Sequence, residues 1–217
     1  MVSPTEVVLD QTVFYPRGGG VGCDFGKIAR KSDGMEFKVL EVSKKEGVVL
    51  HKLDKEGLAQ GDEVACSIDW ERRYQLMRSH TAAHILAQVM AQKANALITG
   101  NQIETDKNRF DFALENFDRT VMDAMVGQAN AEIEKNANVK VYELPRDEAF
   151  KIPGIVKLAG ALPPSVPILR IVEIEGIDIQ ADGGPHVKNT SEIGKIEIIK
   201  MENKGASNRR IYFKIVP

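Results

Sequence analysis

Three of the four histidines in this 217-residue chain have a spacing typical of metal ligands. His80 and His84 are four residues apart, which places both imidazoles on one face of a helix, one turn from each other. His186 closes a glycine-containing loop much later in the chain, and Asp182, four residues before it, could supply an oxygen ligand. Nitrogen and oxygen ligands of this kind suit a zinc ion in an open site, where it can assist hydrolysis.

Spacing alone leaves two interpretations of the histidine pair open. Two histidines four apart on a helix also arise by chance, as a solvent-facing or hydrogen-bonded pair. This pair shares its face with the apolar residues Leu76, Ala83 and Ala87, so both imidazoles are expected to point into the protein. An unpaired polar group there is costly, and burial therefore favours a partner for each imidazole.

The helix motif argues against one class of zinc enzyme. Residues 80–84 read His-Thr-Ala-Ala-His, whereas zinc peptidases carry His-Glu-x-x-His and use the glutamate as general base. We therefore expect the bond that is cut to be more labile than an amide, such as an aminoacyl ester.

These motifs resemble those of a known family. Residues 78–86, Arg-Ser-His-Thr-Ala-Ala-His-Ile-Leu, and residues 183–194, Gly-Gly-Pro-His-Val-Lys-Asn-Thr-Ser-Glu-Ile-Gly, resemble the paired metal motifs of the alanyl-tRNA synthetase editing domain and of the free-standing AlaX editing proteins. Residues 14–20, Phe-Tyr-Pro-Arg-Gly-Gly-Gly, resemble the glycine-rich segment of the medium AlaX form, which has an additional N-terminal domain. Two positions differ: Asp182 stands where the family often has cysteine, and Val21 where glutamine is common.

The resemblance implies a zinc-dependent trans-editing hydrolase. The implied substrate is seryl-tRNA(Ala) formed in error, with glycyl-tRNA(Ala) as a second candidate, and the products are free amino acid and intact tRNA. One zinc ion per chain is expected on His80, His84 and His186, with Asp182 as candidate fourth ligand. The ion could lower the pKa of a bound water to about 7 or hold the substrate in place, and the sequence does not choose between these roles.

The candidates for catalysis and specificity lie inside the two metal motifs. A synthetase pocket for alanine cannot strongly exclude serine, so an editing site must reject alanine through groups that bond the serine hydroxyl. Thr81 is the candidate for that bond, although a helical threonine can equally bond back to its own helix. Asp182, if it is not a ligand, could orient His186 or the attacking water. The backbone N–H groups of Gly183 and Gly184 could stabilise an oxyanion, unless these glycines only form a turn.

The charge of the chain restricts RNA contacts to local patches. The formal net charge is −2 and the pI is about 6.1, so the chain has no general basic excess for binding phosphates. The expected partner is mischarged tRNA(Ala), and ATP, DNA and membrane are not expected. The candidate tRNA-binding residues, each of which could instead be a solvated surface charge, are Arg72, Arg73, Arg78, Lys200, Lys204, Arg209 and Arg210. The glycine-rich loop of Gly18, Gly19 and Gly20 is a further candidate for recognition.

The hydrophobic pattern changes near Trp70 and predicts two domains, residues 1–69 and 70–217. The first domain is predicted to be a small β-barrel, in agreement with the translation-factor-like barrel that the resemblance implies. Its five strand-like runs are residues 5–9, 26–29, 35–42, 47–53 and 63–68.

The second domain is predicted to be α+β, with long helices packed on a mostly antiparallel sheet. Trp70 to about Lys93 lacks glycine and proline and should form one helix that carries both motif histidines. A second helix is expected from about Asp118, a plausible N-cap, to Asn136. The predicted strands are residues 110–112, 139–144, 168–174, 195–201 and 210–216.

Composition indicates a cytoplasmic protein. The chain has no run of about 18 apolar residues, and its polar first ten residues lack the features of a signal peptide. Cys23 and Cys66 are too few and too far apart for a disulfide framework. Two other functions stay open: a non-catalytic RNA-binding module with a fully ligated zinc, and a metal-dependent hydrolase of a small ester.

Overall fold

The computed structural model describes residues 3–114, 118–156, 165–205 and 208–217. The chain forms two compact units, Met1–Gln75 and Leu76–Pro217. All the described strand pairs are antiparallel, and helices accompany them. The predicted α+β class with mostly antiparallel sheets is therefore confirmed.

The first unit is a five-stranded sheet whose strands overlap the five predicted runs. These strands are β1 Glu6–Val7, β2 Gly26–Arg30, β3 Glu36–Lys45, β4 Val48–Leu53 and β5 Val64–Ile68. Their order in the sheet is β1-β4-β3-β2-β5. Among the residues described, the edge strands β1 and β5 are not paired with each other, so strand pairing does not show the closed barrel predicted from the sequence.

Alternation along β3 builds the core of this unit. Phe37, Val39 and Val42 are buried, while the side chains between them are exposed. The spacing changes from two to three because the register of β3 against β4 shifts after Val39. With Phe14 and Ile28, these side chains form one hydrophobic cluster.

Helix α1, Trp70–Ala94, carries both motif histidines, close to the predicted range. Asp69 caps its start, since the carboxylate accepts a hydrogen bond of 3.1 Å from the backbone N–H of Arg72. Asn95 has a left-handed backbone with φ of 48°, which ends the helix. Residues 79–87 are all buried, so the middle of the helix is interior on every side.

The described residues of the second unit form two antiparallel sheets. Their strands are β6 Ile98–Gln102, β7 Asn108–Ala113, β8 Val139–Pro145, β9 Ile168–Ile174, β10 Asp178–Ala181, β11 Lys195–Asn203 and β12 Asn208–Val216. One sheet has the order β10-β9-β8 and the other β11-β12-β7-β6. The sequence analysis does not predict β6 or β10. β10 has four residues and depends on its hairpin with β9, which turns at Gly176 with φ of 71°.

The other helices of the described residues are shorter than α1. They are α2 Arg119–Ile133, α3 Arg146–Ala149 and a 3-10 turn, Thr190–Glu192. As predicted, Asp118 caps α2, accepting a backbone hydrogen bond of 2.7 Å. Asn130 attaches α2 to β11 through both backbone groups of Ile196, at 2.8 and 3.0 Å. Within the described residues, no helix is both long and apolar enough to span a membrane.

Candidate metal centre

Two elements of the second unit bring four potential ligands together. Helix α1 supplies His80 and His84, and the loop that follows β10 supplies Asp182 and His186. One nitrogen or oxygen atom from each residue lies within 4.8 Å of those of the other three. The candidate ligands, distant in sequence, therefore form one cluster that could bind a metal ion.

All three imidazoles present the same ring atom to the middle of this cluster. Nε2 of His80 lies 3.6 Å and Nε2 of His84 3.8 Å from Oδ2 of Asp182. Nε2 of His186 lies 3.2 Å from Oδ1 of the same carboxylate. Only the last separation is short enough for a hydrogen bond, so hydrogen bonding to Asp182 does not account for the orientation of His80 and His84.

The other ring nitrogen of each imidazole has a partner in the protein. A carbonyl or a carboxylate only accepts hydrogen bonds, so an Nδ1 that faces one carries the hydrogen, and Nε2 keeps its lone pair for a metal. The three contacts are His80 Nδ1 to the Pro185 carbonyl at 3.3 Å, His84 Nδ1 to the Asp178 carboxylate at 3.1 Å, and His186 Nδ1 to the Thr81 hydroxyl at 3.1 Å.

The Thr81 hydroxyl contacts Nδ1 of His186 and two backbone groups. It donates its one hydrogen to the Met77 carbonyl at 2.9 Å and accepts from the backbone N–H of Val187 at 3.2 Å. If Nε2 of His186 binds a metal, Nδ1 must carry the hydrogen, and the contact with Thr81 is then a second bond that the hydroxyl accepts. Thr81 is fully buried, and a bond to a substrate hydroxyl, as the sequence suggested, would require one of these three bonds to break.

Electrostatics keep the imidazoles ready to bind a cation. Burial lowers the pKa of His80 to about 4, and burial together with His80 lowers the pKa of His186 well below its usual value. Burial alone would raise the pKa of Asp182, but His80, His186 and His84 outweigh it and hold that pKa well below the usual range. At neutral pH these two imidazoles are uncharged and the carboxylate is ionised, which is the protonation state that metal binding requires.

The donor set fits zinc. Three imidazole nitrogens and one carboxylate match the ligand types of four-coordinate zinc, and zinc sites with three protein ligands keep a position for water or substrate. Zinc-binding histidines usually donate their second ring N–H to a carboxylate, a backbone carbonyl or water. Nδ1 of His80 and Nδ1 of His84 face partners of this kind.

The glycines of the loop have different surroundings. A Cβ on Gly184 would lie 2.4 Å from Cε1 of His80, whereas a Cβ on Gly183 would meet nothing within 4 Å. The N–H of Gly184 donates to Oδ1 of Asp182 at 2.5 Å. Arg170 holds the loop by donating to the carbonyls of Asp182 and Gly184 at 2.8 and 2.9 Å. Close approach of the backbone to His80 therefore requires glycine at position 184 only.

Sequence reasoning missed two residues that support this cluster, Asp178 and Arg170. Along a strand, residues 178, 180 and 182 point to the same side, so the alternation Asp178-Ile-Gln180-Ala-Asp182 was a usable signal for Asp178. Arg170 gives no such signal, because its contacts are with backbone carbonyls of a distant loop.

Sequence comparison decides the family. Alanyl-tRNA editing protein AlaX-M of Saccharolobus solfataricus is 50% identical over 97% of this chain and 89% of its own length. The chain belongs to the AlaX family of alanyl-tRNA editing proteins. The AlaX-M protein of Methanosarcina barkeri is 49% identical, over 97% of this chain and 88% of its own length. The resemblance inferred from the motifs is confirmed.

Parts of this AlaX chain also match synthetase families. Residues 169–212, which include Asp182 and His186, match the threonyl and alanyl tRNA synthetase second additional domain. Residues 2–72 match the class II (A) tRNA synthetases. Alanine–tRNA ligase of Methanococcus maripaludis strain C7 is 38% identical over 90% of this chain, which corresponds to 22% of the ligase.

The glycine-rich loop of this AlaX chain is a tight turn in the first unit. Gly18 and Val21 exchange backbone hydrogen bonds of 3.2 and 2.9 Å. Gly19 and Gly20 between them have positive φ of 59° and 85°, a conformation that favours glycine. Val21, which closes this turn, is buried.

Two of the basic residues proposed to bind tRNA lie in the first unit and have partners there. Arg72 donates to the Cys23 carbonyl at 2.9 Å, and its guanidinium lies 4.0 Å from the centre of the Phe25 ring. Arg73 forms an ion pair with the buried carboxylate of Asp24. Both guanidinium groups therefore already make structural contacts.

The basic candidates of the second unit also have partners. Arg209 is buried, and its guanidinium donates to groups in the turn between β11 and β12. The others are paired as follows: Arg78 with the Ile193 carbonyl at 2.8 Å, Arg210 with both oxygens of Asp111 at 2.6 and 2.9 Å, and Lys200 and Lys204 with Glu202 at 2.5 and 2.8 Å. A contact with tRNA would have to share these side chains or displace their partners.

Proposed function

We propose that this AlaX protein hydrolyses the aminoacyl ester of mischarged tRNA(Ala) in trans and releases free amino acid and intact tRNA. Family membership supports the substrate class, because the named relatives are alanyl-tRNA editing proteins. The observation that carries the chemistry is the convergence of three imidazole Nε2 atoms on one carboxylate, with each Nδ1 held from behind. Histidines that only fill the core would not be expected to direct three Nε2 atoms toward one carboxylate.

In this proposal His80, His84 and His186 hold one zinc ion, with Asp182 as the fourth ligand. When bound, zinc supplies a Lewis acid that can polarise the ester carbonyl or activate water. The uncharged imidazoles of His80 and His186 can donate lone pairs without first losing a proton, and the carboxylate offsets part of the charge of the ion.

The chain's own groups then orient the reaction. Thr81 stands where zinc peptidases have their glutamate base, so a general base does not come from the helix motif. Because the N–H of Gly184 is used by Asp182, the N–H of Gly183 is our proposed donor to the developing oxyanion. Asp182 fixes the loop through Gly184 and faces His186, which orients both the ligand and the donor.

The proposed substrate is seryl-tRNA(Ala), with glycyl-tRNA(Ala) as the second candidate. Rejection of alanyl-tRNA(Ala) needs a polar group that is left unpaired when alanine binds. Thr81 is our candidate, acting either directly or through the position of His186, with which it is in contact.

We assign the two parts of the chain different tasks. Residues 70–217 form the deacylase domain, and residues 1–69 form a translation-factor-like barrel that helps to bind tRNA. The match of residues 2–72 to synthetases supports the second assignment. The basic side chains and the Gly18 to Gly20 turn are the proposed tRNA contacts, and the cytoplasm is the proposed location.

The deciding experiment combines deacylation assays with metal analysis. Purified wild type should deacylate seryl-tRNA(Ala) much faster than alanyl-tRNA(Ala) and should contain about one zinc per chain. His84→Ala should lose both the metal and the activity, whereas His51→Ala, which removes a histidine in the first unit, should keep the metal.

Each other outcome points to a different function. A zinc-containing protein without deacylase activity would indicate the RNA-binding module, with the metal fully ligated. Activity on small esters that tRNA does not inhibit would indicate a general esterase. Equal metal content in wild type and His84→Ala would refute the metal site itself.

A further inference from the structure

We propose that Asp178 is a positioning residue that fixes the imidazole of His84 for metal binding. The inference rests on the metal site proposed above, because it concerns how one of its ligands is held. Oδ2 of Asp178 lies 3.1 Å from Nδ1 of His84, on the side of the ring opposite to the cluster. A carboxylate can only accept here, so the contact fixes the hydrogen on Nδ1 and leaves the lone pair on Nε2.

Asp178 is itself held in one position. Its side chain is 0% exposed, and the amide of Gln180 donates to the same Oδ2 at 2.7 Å. Asp178 begins β10 and pairs with Ile174 of β9, so its backbone belongs to the sheet. A buried carboxylate is costly unless it is hydrogen-bonded, and these two donors lower that cost.

Strand β10 and the loop that follows it supply a carboxylate to each nitrogen of the His84 ring. Asp178 begins β10, and Asp182 is the first residue after its end at Ala181. Asp178 contacts Nδ1 at 3.1 Å, while Asp182 faces Nε2 at 3.8 Å. The imidazole of His84 therefore lies between two acidic groups, one of which anchors it and one of which belongs to the ligand cluster.

His84 depends on its outer partner more than the other two histidines do. Its Nε2 is the farthest of the three from the Asp182 carboxylate, at 3.8 Å against 3.6 Å for His80 and 3.2 Å for His186. Its outer partner is also the only charged one, because the other two are a backbone carbonyl and a hydroxyl. A charge-assisted hydrogen bond is stronger than a neutral one and makes the imidazole a better donor to a metal.

The test measures zinc affinity of the full chain by chelator competition. Asp178→Ala should bind zinc about 10- to 100-fold more weakly than wild type, the usual effect of losing an outer partner of a metal ligand. Asp178→Asn keeps an oxygen acceptor but loses the charge, and it should lie between the two. Glu173→Gln is the matched control, because Glu173 lies on β9 opposite Ile179 of β10 and bonds Tyr142 instead of a ligand.

A second readout does not depend on the metal. In the metal-free protein, nitrogen NMR shifts of His84 should report hydrogen on Nδ1 in wild type and in Glu173→Gln, and a mixture of tautomers in Asp178→Ala. If Asp178→Ala fails to fold, the zinc affinity and the tautomer of Asp178→Asn decide the question.

The outcomes separate this inference from the proposed function. Wild-type zinc affinity and an unchanged tautomer in the Asp178 variants would overturn it, even if metal-free stability falls, since that is the result of a purely structural role. If wild type binds no zinc, the proposed function fails, while the tautomer measurement still decides whether Asp178 orients His84.

Discussion

The hydroxyl of Thr81 and the imidazole of His186 are in direct contact, with 3.1 Å between Oγ1 and Nδ1, although 105 residues separate them. The same hydroxyl accepts from the backbone N–H of Val187 and donates to its own helix at Met77. One side chain therefore connects helix α1 to the loop that carries the third histidine. Its burial makes each of these bonds costly to lose.

Thr81→Val keeps the shape of the side chain and leaves the backbone N–H of Val187 and Nδ1 of His186, both buried, without their hydrogen-bond partner. We expect the free energy of unfolding of the metal-free protein to fall by about 1–3 kcal/mol, as measured by urea denaturation. Thr81→Ser retains the hydroxyl and should restore most of the loss. A Thr81→Val protein as stable as wild type would contradict the bonding described here.

The same pair of variants tests specificity. If Thr81 acts only by placing His186, Thr81→Val lowers kcat/KM for serine-charged and alanine-charged tRNA alike. A change in the ratio of these constants of about 1–3 kcal/mol would instead assign the hydroxyl to the substrate.

Asp182 is tested by replacing its carboxylate. Asp182→Ala removes an oxygen that faces three imidazoles and the acceptor for the N–H of Gly184, so zinc retention during dialysis should fall sharply. Asp182→Cys provides a thiolate, a common zinc ligand, and should keep the metal. If Asp182→Ala keeps the full metal content and the wild-type deacylation rate, Asp182 only forms part of a turn.

The two loop glycines form a matched pair for mutation. Gly184→Ala places a methyl group 2.4 Å from the ring of His80, so the ring or the loop must move, and zinc affinity should fall. Gly183→Ala meets open space and should keep zinc affinity close to wild type. Chelator competition measures both variants, and equal affinities would mean that the loop adapts to the added methyl group.

Burial of His51 makes the stability of the first unit depend on pH. Burial lowers the pKa of this histidine below its usual 6.5, so the folded chain binds fewer protons than the unfolded chain just below that pH. Stability therefore falls as pH drops below about 6.5, by up to about 1.4 kcal/mol per pH unit, until the folded pKa is reached.

The measurement compares denaturation curves of wild type and His51→Gln between pH 5 and 8. The difference in free energy of unfolding between the two proteins should shrink as the pH falls, because only wild type carries this titration. A difference that does not change with pH would mean that folding does not shift the pKa of His51.

Local patterns determined much of what the sequence predicted correctly. The spacing of His80 and His84, the run without glycine or proline around them, and the Asp118 cap depend on contacts within a few residues. The same holds for the strand alternation of the first unit and for the family motifs. Helix and strand periods are properties of the backbone, so a short window of sequence reports them.

Only the tertiary structure decided which atoms meet. It directs the Thr81 hydroxyl to His186, holds His84 with Asp178, and pairs the arginines that were expected to contact tRNA with carbonyls and carboxylates. It also leaves β1 and β5 unpaired within the described residues, where a closed barrel was predicted. These outcomes depend on packing between segments far apart in the chain, and each buried polar group takes the partner that packing brings within about 3 Å, which no local pattern encodes.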